Sequence, residues 1–292
     1  MKFWVKFSRT IFKLAARSQL KKVRPKLLEP VLAKSVSMLD DSMILEMRSF
    51  VLSQQTREGG FADRAGKCDL YYSLFGYFIA ESLSVGGIHD HLKKYISATV
   101  AAGNLTGVYR YCGAILYAKL VGLDDVTEKL RKEIVSELVQ PNVKQPEYSS
   151  FLAILALFYL EDYLNVQRVV NRYKRSLELT GHPPCPVVAA TAVMMGMAGN
   201  TQSEAIEALK SFYRGNGGFA AVLRAPEEDL LSTGVALFAL HFLDADIRLI
   251  KPDCLFFVDN LYLDGGFRAT STDLITDVEY TFYGLLALGS MN

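Results

Sequence analysis

The chain predicts an all-α protein assembled from successive helix pairs. Three observations point there: a Gly-Gly-Phe signal recurs ahead of apolar helical runs, those runs begin 38 to 48 residues apart, and polar periodic stretches lie between them.

The signal appears as Gly59-Gly60-Phe61, Gly217-Gly218-Phe219 and Gly265-Gly266-Phe267. An aspartate follows ten or twelve residues after each first glycine: Asp69, Asp229 and Asp277. With the aspartate as position zero, position four holds Ser73, Thr233 and Thr281, and position seven holds Gly76, Ala236 and Gly284. Carried through the middle of the chain, this frame yields three degenerate copies anchored at Val108, Pro146 and Cys185. Their position-four residues are Cys112, Ser150 and Ala189, again small. Such a line of small side chains is expected to let neighbouring inner helices approach closely. The outer partners are expected at about 38–55, 89–101, 124–139, 162–178, 202–213 and 251–260. Twelve alternating helices either climb as an open solenoid or close into a ring, and periodicity does not choose between them.

Length and composition fit one large domain, since 292 residues that are half apolar can bury a sizeable core. The longest apolar runs, Val187 to Ala198 and Phe151 to Leu160, fall short of the roughly 20 residues that cross a bilayer. Four cysteines, Cys68, Cys112, Cys185 and Cys254, show no C-x-x-C spacing, so a reducing cytosol is expected, with the cysteines as ordinary helix residues.

Charge divides the chain unevenly. Residues 1–34 carry ten Lys or Arg and one acid, Glu29, a balance of +9; the remaining 22 bases and 30 acids give −8. Phe3, Phe7, Ile11 and Leu14 recur at helical spacing among Lys2, Lys6, Arg9, Lys13 and Arg17. One helix would thus carry an apolar stripe beside a cationic face. The expected division is a basic amphipathic arm, 1–36, and a helical domain, 37–292. The arm either binds an anionic membrane surface, making the protein peripheral on the inner face, or packs as an extra helix on the acidic body. No nucleic-acid partner is expected.

The strings GGFADRAGKCDLYYSLFGYFIAESL, GGFAAVLRAPEEDLLSTGVALFAL and GGFRATSTDLITDVEYTFYGLLAL resemble the repeats of protein prenyltransferase β-subunits and, at greater distance, of squalene and hopene cyclases. The resemblance covers about residues 38–289. It implies an (α/α)6 toroid, in which six helix pairs close a ring. It leaves function open, because that fold hosts zinc-dependent thiol alkylation, acid-initiated cyclisation and plain binding.

Carried over residue by residue, the family's zinc ligands Asp, Cys and His fall on Asp229, Leu231 and Tyr280. Leucine cannot bind zinc and tyrosine is a poor substitute for imidazole, so no metal and no cofactor are expected. Asp229 and Asp277 are candidate catalytic carboxylates, with helix N-capping as the competing reading. The cyclase acid motif D-x-D-D matches only as Asp229-Leu230-Leu231-Ser232, with its proton donor replaced by Leu231. Neither His182 with Cys185 nor His89 with His91 has a completing ligand at a suitable spacing.

What remains is a pocket. If the ring closes, the inner-helix starts bring Tyr71, Tyr72, Phe75, Tyr109, Tyr111, Tyr148, Tyr280 and Tyr283 to a central aromatic-lined cavity suited to an isoprenoid or other long apolar molecule. Arg64, Lys67, Arg110 and Arg268 lie near the same ends and would meet a diphosphate. The leading reading is a zinc-independent prenyltransferase-like or terpene-cyclase-like protein acting on or binding such a ligand. The alternative is a non-catalytic lipid binder, or an interaction scaffold with a partner subunit. An open cavity favours ligand binding, and a cavity filled by side chains favours the scaffold.

Overall fold

The computed structural model describes residues 18–19, 21–139, 147–176, 183–199 and 203–292. The fold is mostly helical. A short 3-10 turn, Arg24–Lys26, leads into α1 (Leu28–Val36). Then come α2 (Asp41–Ser53), the hairpin of β1 (Phe61–Ala62) and β2 (Cys68–Asp69), and α3 (Leu70–Ser82). Next are α4 (His89–Ala101), α5 (Gly107–Leu120), α6 (Asp125–Leu138), α7 (Tyr148–Tyr159), α8 (Tyr163–Ser176) and α9 (Cys185–Met197). The chain ends with α10 (Ser203–Lys210), α11 (Leu230–Phe242), α12 (Lys251–Asp259), the small antiparallel sheet of β3 (Tyr262–Leu263), β4 (Gly266–Arg268) and β5 (Thr276–Asp277), and α13 (Val278–Ser290). No described helix is long and apolar enough to cross a membrane.

From α3 onward the odd-numbered helices are largely apolar and bury half or more of their residues, as α11 does throughout Ser232–Leu240. The even-numbered helices are more exposed, and each packs on an odd-numbered neighbour. Consecutive odd-numbered helices also touch: α3 packs on α5, α5 on α7, α7 on α9, α9 on α11 and α11 on α13, while α13 packs in turn on α3.

The repeated signal has a shared local construction. In each clear copy the phenylalanine N–H donates to the position-four hydroxyl: Phe61 to Ser73 at 2.8 Å, Phe219 to Thr233 at 2.9 Å, and Phe267 to Thr281 at 3.1 Å. The same hydroxyls donate to the carbonyls of Asp69, Asp229 and Asp277. All three phenylalanines are buried, each contributing about 1.5–3 kcal/mol. A Cβ at Gly76 would stand 2.4 Å from the Phe61 ring, and one at Gly284 2.6 Å from the Phe267 ring. This corrects the expected purpose of the small residues: at these two sites position seven makes room for the phenylalanine of the same copy, not for a neighbouring helix. Gly234 does serve close helix approach, since a Cβ there would lie 2.7 Å from the Tyr283 carbonyl.

The first glycine of each pair has positive φ, +99° at Gly59, +98° at Gly217 and +83° at Gly265. It also presses on a following outer helix. A Cβ would fall 2.5 Å from the His91 carbonyl on α4, 2.0 Å from that of Asp253 on α12, and 2.6 Å from that of Glu46 on α2. The turn after the last outer helix therefore abuts the first one.

Outer-helix positions follow the expected ranges, while all three degenerate copies shift in register. α5 is preceded by Thr106 rather than anchored at Val108, α7 by Glu147 rather than Pro146, and α9 by Pro184 rather than Cys185. None of the three has an aspartate cap and phenylalanine plug to fix the frame. Cys68 lies in β2 rather than a helix, and all four cysteines are unpaired.

The described end of the basic segment belongs to the main core. Val23, Leu27, Leu28, Val31 and Leu32 are buried in the same cluster as the inner helices, and α1 packs on α13 and α3. The amphipathic stripe expected in residues 1–17 lies outside the described residues.

Candidate functional site

The starts of α3, α5 and α7 border an open vestibule of about 590 Å³. It is lined by the β1–β2 loop (Asp63, Arg64, Ala65), by Asp69, Tyr71 and Tyr72, by Val108 and Tyr109 of α5, and by Ser149 and Leu152 of α7. Leu152 also borders an apolar shaft that runs between five of the inner helices. Phe75, Phe78, Phe151, Phe238, Phe282 and Tyr283 line that shaft, and Leu28 of α1 completes it. Ring packing is tight: the Phe75 centroid lies 5.0 Å from Phe282 and 5.7 Å from Tyr283.

The shaft is far narrower than the expected central cavity. It holds about 40 Å³, space for roughly three waters. The aromatic side chains themselves occupy the middle.

Asp229 and Asp277 both act as N-caps. Asp229 accepts from the Ser232 N–H at 2.8 Å and Asp277 from the Tyr280 N–H at 2.8 Å. Burial pushes both carboxyls above the ordinary range, with the capping N–H groups opposing it. Asp277 is also paired with Arg64, whose Nε donates to it at 2.5 Å while Nη2 donates to Asp273 at 2.8 Å. The Arg64 guanidinium lies 4.9 Å from the Tyr280 ring centroid, and burial raises the Tyr280 phenol to about 12.

Sequence reasoning missed Glu279. Tyr71, which lines the vestibule, donates its hydroxyl to Glu279 at 2.9 Å. Burial raises the Glu279 carboxyl; the Tyr71 and Tyr72 hydroxyls oppose that shift and the nearby Asp277 charge adds to it. The signal available was a second acid in the first turn of the last inner helix, two residues after Asp277.

Several expected residues are not brought to the vestibule. Arg110 faces α6, where it pairs with Glu133 at 3.2 Å and with Glu137. Counted from Thr106, it occupies position four, which in the clear copies faces away from the shaft. Tyr111 is buried against the same outer wall, its phenol raised by burial and by Glu137. Arg268 donates to the carbonyls of Asn260, Ser271 and Asp273, bracing its own loop. The expected cluster of four cations is therefore not assembled, and Arg64 is already held by two carboxylates. Tyr109 is exposed and donates to Asp69 at 3.1 Å. The side chain of Tyr148, like His182, lies outside the described residues.

Among the described residues no group of three His, Cys, Asp or Glu is placed to hold a metal ion. His89 instead pairs with Glu81 at 2.5 Å, and Cys185 is buried with its thiol 3.7 Å from the Ser232 carbonyl. Comparison of the chain with known protein families and with curated proteins finds no match.

Proposed function

We propose that the chain is a closed (α/α)6 toroid of the terpenoid-cyclase and prenyltransferase β-subunit type, and that it handles an isoprenoid or similar apolar ligand without zinc. Ring closure is supported by the packing of α13 on α3, by the Gly265 turn against Glu46, and by Arg64 reaching Asp277. The observation that carries the functional reading is the adjacency of two environments, since Leu152 lines both the open vestibule with its three tyrosines and the aromatic-lined shaft. A ligand with an apolar end and a polar head fits that sequence of environments.

The vestibule chemistry favours an uncharged head over a diphosphate. Asp63 and Asp69 line it, Asp273 and Asp277 neutralise Arg64, and Arg110 and Arg268 point elsewhere. Polyanions would meet more carboxylates than free cations.

A second reading, a protein-interaction scaffold with a partner subunit, is favoured by one observation. At about 40 Å³ the shaft admits little without movement of its rings. Native mass spectrometry with lipid extraction, on protein purified from its own host, separates the two. A co-purifying polyprenyl species supports ligand handling; an empty chain bound to a stoichiometric partner protein supports the scaffold.

A further inference from the structure

We propose that the vestibule is a binding site for a small organic cation of the alkylammonium class, held against the rings of Tyr71, Tyr72 and Tyr109 with Asp63 and Asp69 as its counter-charges. Such a ligand occupies the vestibule alone, so the site stands whether or not the shaft takes an apolar molecule.

The opening is built into the chain's crossovers. Three inner helices have their starts covered by the loop of the next copy around the ring. The Cys185 N–H at the start of α9 donates to the Ala221 carbonyl at 2.8 Å, and the Leu230 N–H at the start of α11 donates to the Ala269 carbonyl at 2.9 Å. Arg64 of the first hairpin reaches Asp277 at the start of α13. The second copy has no hairpin to lay over α3, since α4 ends at Ala101 and α5 begins at Gly107. The start of α3 is left facing the vestibule.

Twice elsewhere the protein holds its own cations by one combination, a tyrosine ring beside a carboxylate. Lys119 Nζ lies 4.8 Å from the Tyr159 ring centroid and 2.6 Å from Glu29, which also accepts the Tyr159 hydroxyl at 2.6 Å. The Arg64 guanidinium lies 4.9 Å from the Tyr280 centroid and pairs with Asp273 and Asp277. The vestibule repeats the combination. Asp69 accepts the Tyr109 hydroxyl at 3.1 Å, and the Tyr71 and Tyr72 rings stand at 78° with centroids 6.0 Å apart, two walls of a corner. Tyr109 is 47% exposed, so a ligand can reach its ring. Backbone N–H groups fix both carboxylates, those of Ala65 and Lys67 on Asp63 and those of Tyr71 and Tyr72 on Asp69. Among the described residues neither carboxylate forms an ion pair, so the charge that this combination holds elsewhere must come from outside.

The donor set selects an organic cation over a metal ion. A hard metal ion demands about six oxygen ligands, whereas one oxygen of each carboxylate is already taken by two N–H groups. A ring face instead attracts a weakly hydrated ammonium through its quadrupole. The volume of about 590 Å³ falls within the range of small-molecule sites, about 300–1,000 Å³.

The test is a ligand-observed NMR titration of the full chain with choline, with neohexanol as its uncharged carbon isostere, and with phosphocholine. Wild type is expected to bind choline roughly tenfold more tightly than neohexanol, from two or three ring contacts and the carboxylates together. Phosphocholine should bind more weakly than choline, because its phosphate meets Asp63 and Asp69. Tyr109→Leu keeps an apolar side chain but loses the ring, and Asp63→Asn keeps the oxygen that the loop N–H groups need. Each should weaken choline about threefold and leave neohexanol unchanged, while Tyr109→Phe should lose less than Tyr109→Leu. Circular dichroism checks folding. Binding of neither ligand, equal binding of choline and neohexanol, tighter binding of phosphocholine, or folded Tyr109→Leu and Asp63→Asn variants with the wild-type preference would each overturn the site. None of these results touches the apolar-ligand reading, which lipid extraction decides.

Discussion

Arg64 and Asp277 stand 213 positions apart in the chain, and the guanidinium Nε donates to the carboxylate at 2.5 Å. The same carboxylate caps α13 through the Tyr280 N–H, so one side chain both starts the last inner helix and binds the first hairpin. Arg64→Met should therefore leave a buried carboxylate without its cation. The arginine side chain is 35% exposed, which discounts the loss to about 1–3 kcal/mol. Asp277→Asn, which keeps a capping oxygen, should cost less than Asp277→Ala. Urea unfolding of the three variants checks both statements.

Glu279 makes stability depend on pH in a defined direction. Its folded-state value is raised above the ordinary 4.5, so its contribution is fully present below that pH and is lost as pH rises through the folded value. Glutamine does not titrate. The stability of Glu279→Gln relative to wild type should accordingly increase between about pH 4 and about pH 7. Thermal melts across that range would refute the assignment if the difference stayed flat. Asp229 is raised too but acts in both proteins, whereas Asp277 interacts with Glu279 through its charge, so its easier ionisation in the variant adds to the difference in the same direction.

Glycines with similar φ should respond differently to alanine. Gly217→Ala meets both a φ of +98° and a carbonyl 2.0 Å from the new Cβ, whereas Gly66, at +77°, has nothing within 4 Å. Gly66→Ala should cost about 1 kcal/mol from backbone strain alone. Gly217→Ala should cost several times as much, because a whole outer helix must shift. Paired denaturation curves distinguish the two.

The shared hydroxyl bond offers a further site for substitution. Thr281→Val keeps the shape but removes the acceptor for the buried Phe267 N–H, a loss of about 1–3 kcal/mol. Thr281→Ser should retain most of it. Hydrogen exchange at the Phe267 amide, faster in the valine variant and near wild type in the serine variant, is the specific readout.

Purified protein should contain no stoichiometric zinc. Leu231 offers no donor atom, and Tyr280 lies under the Arg64 guanidinium at 4.9 Å, where a second cation would be repelled. Elemental analysis returning one zinc per chain would overturn this reading of both positions.

The helix plan was legible because its signals are local. α4 occupies 89–101, the expected range, and α2 falls within 38–55. Register is lost where local punctuation is missing: without an aspartate cap the second copy starts two residues ahead of its expected anchor, and Arg110, expected near the pocket, faces Glu133 instead. Glu279 was hidden for a different reason. Its environment is made by Tyr71, 208 positions away, and no pattern within the last repeat announces that neighbour. Shaft width was equally illegible, since it depends on how rings from several helices divide one small volume.

The contact between Val31 and Gly289 carries a consequence for biosynthesis. Helix α1 is synthesised well before α13, one of the two inner helices that shelter its leucines. A nascent chain must therefore hold part of that apolar helix uncovered until α13 emerges, and compaction of this face waits on it. Truncations that remove α13 should be more aggregation-prone than their small size suggests.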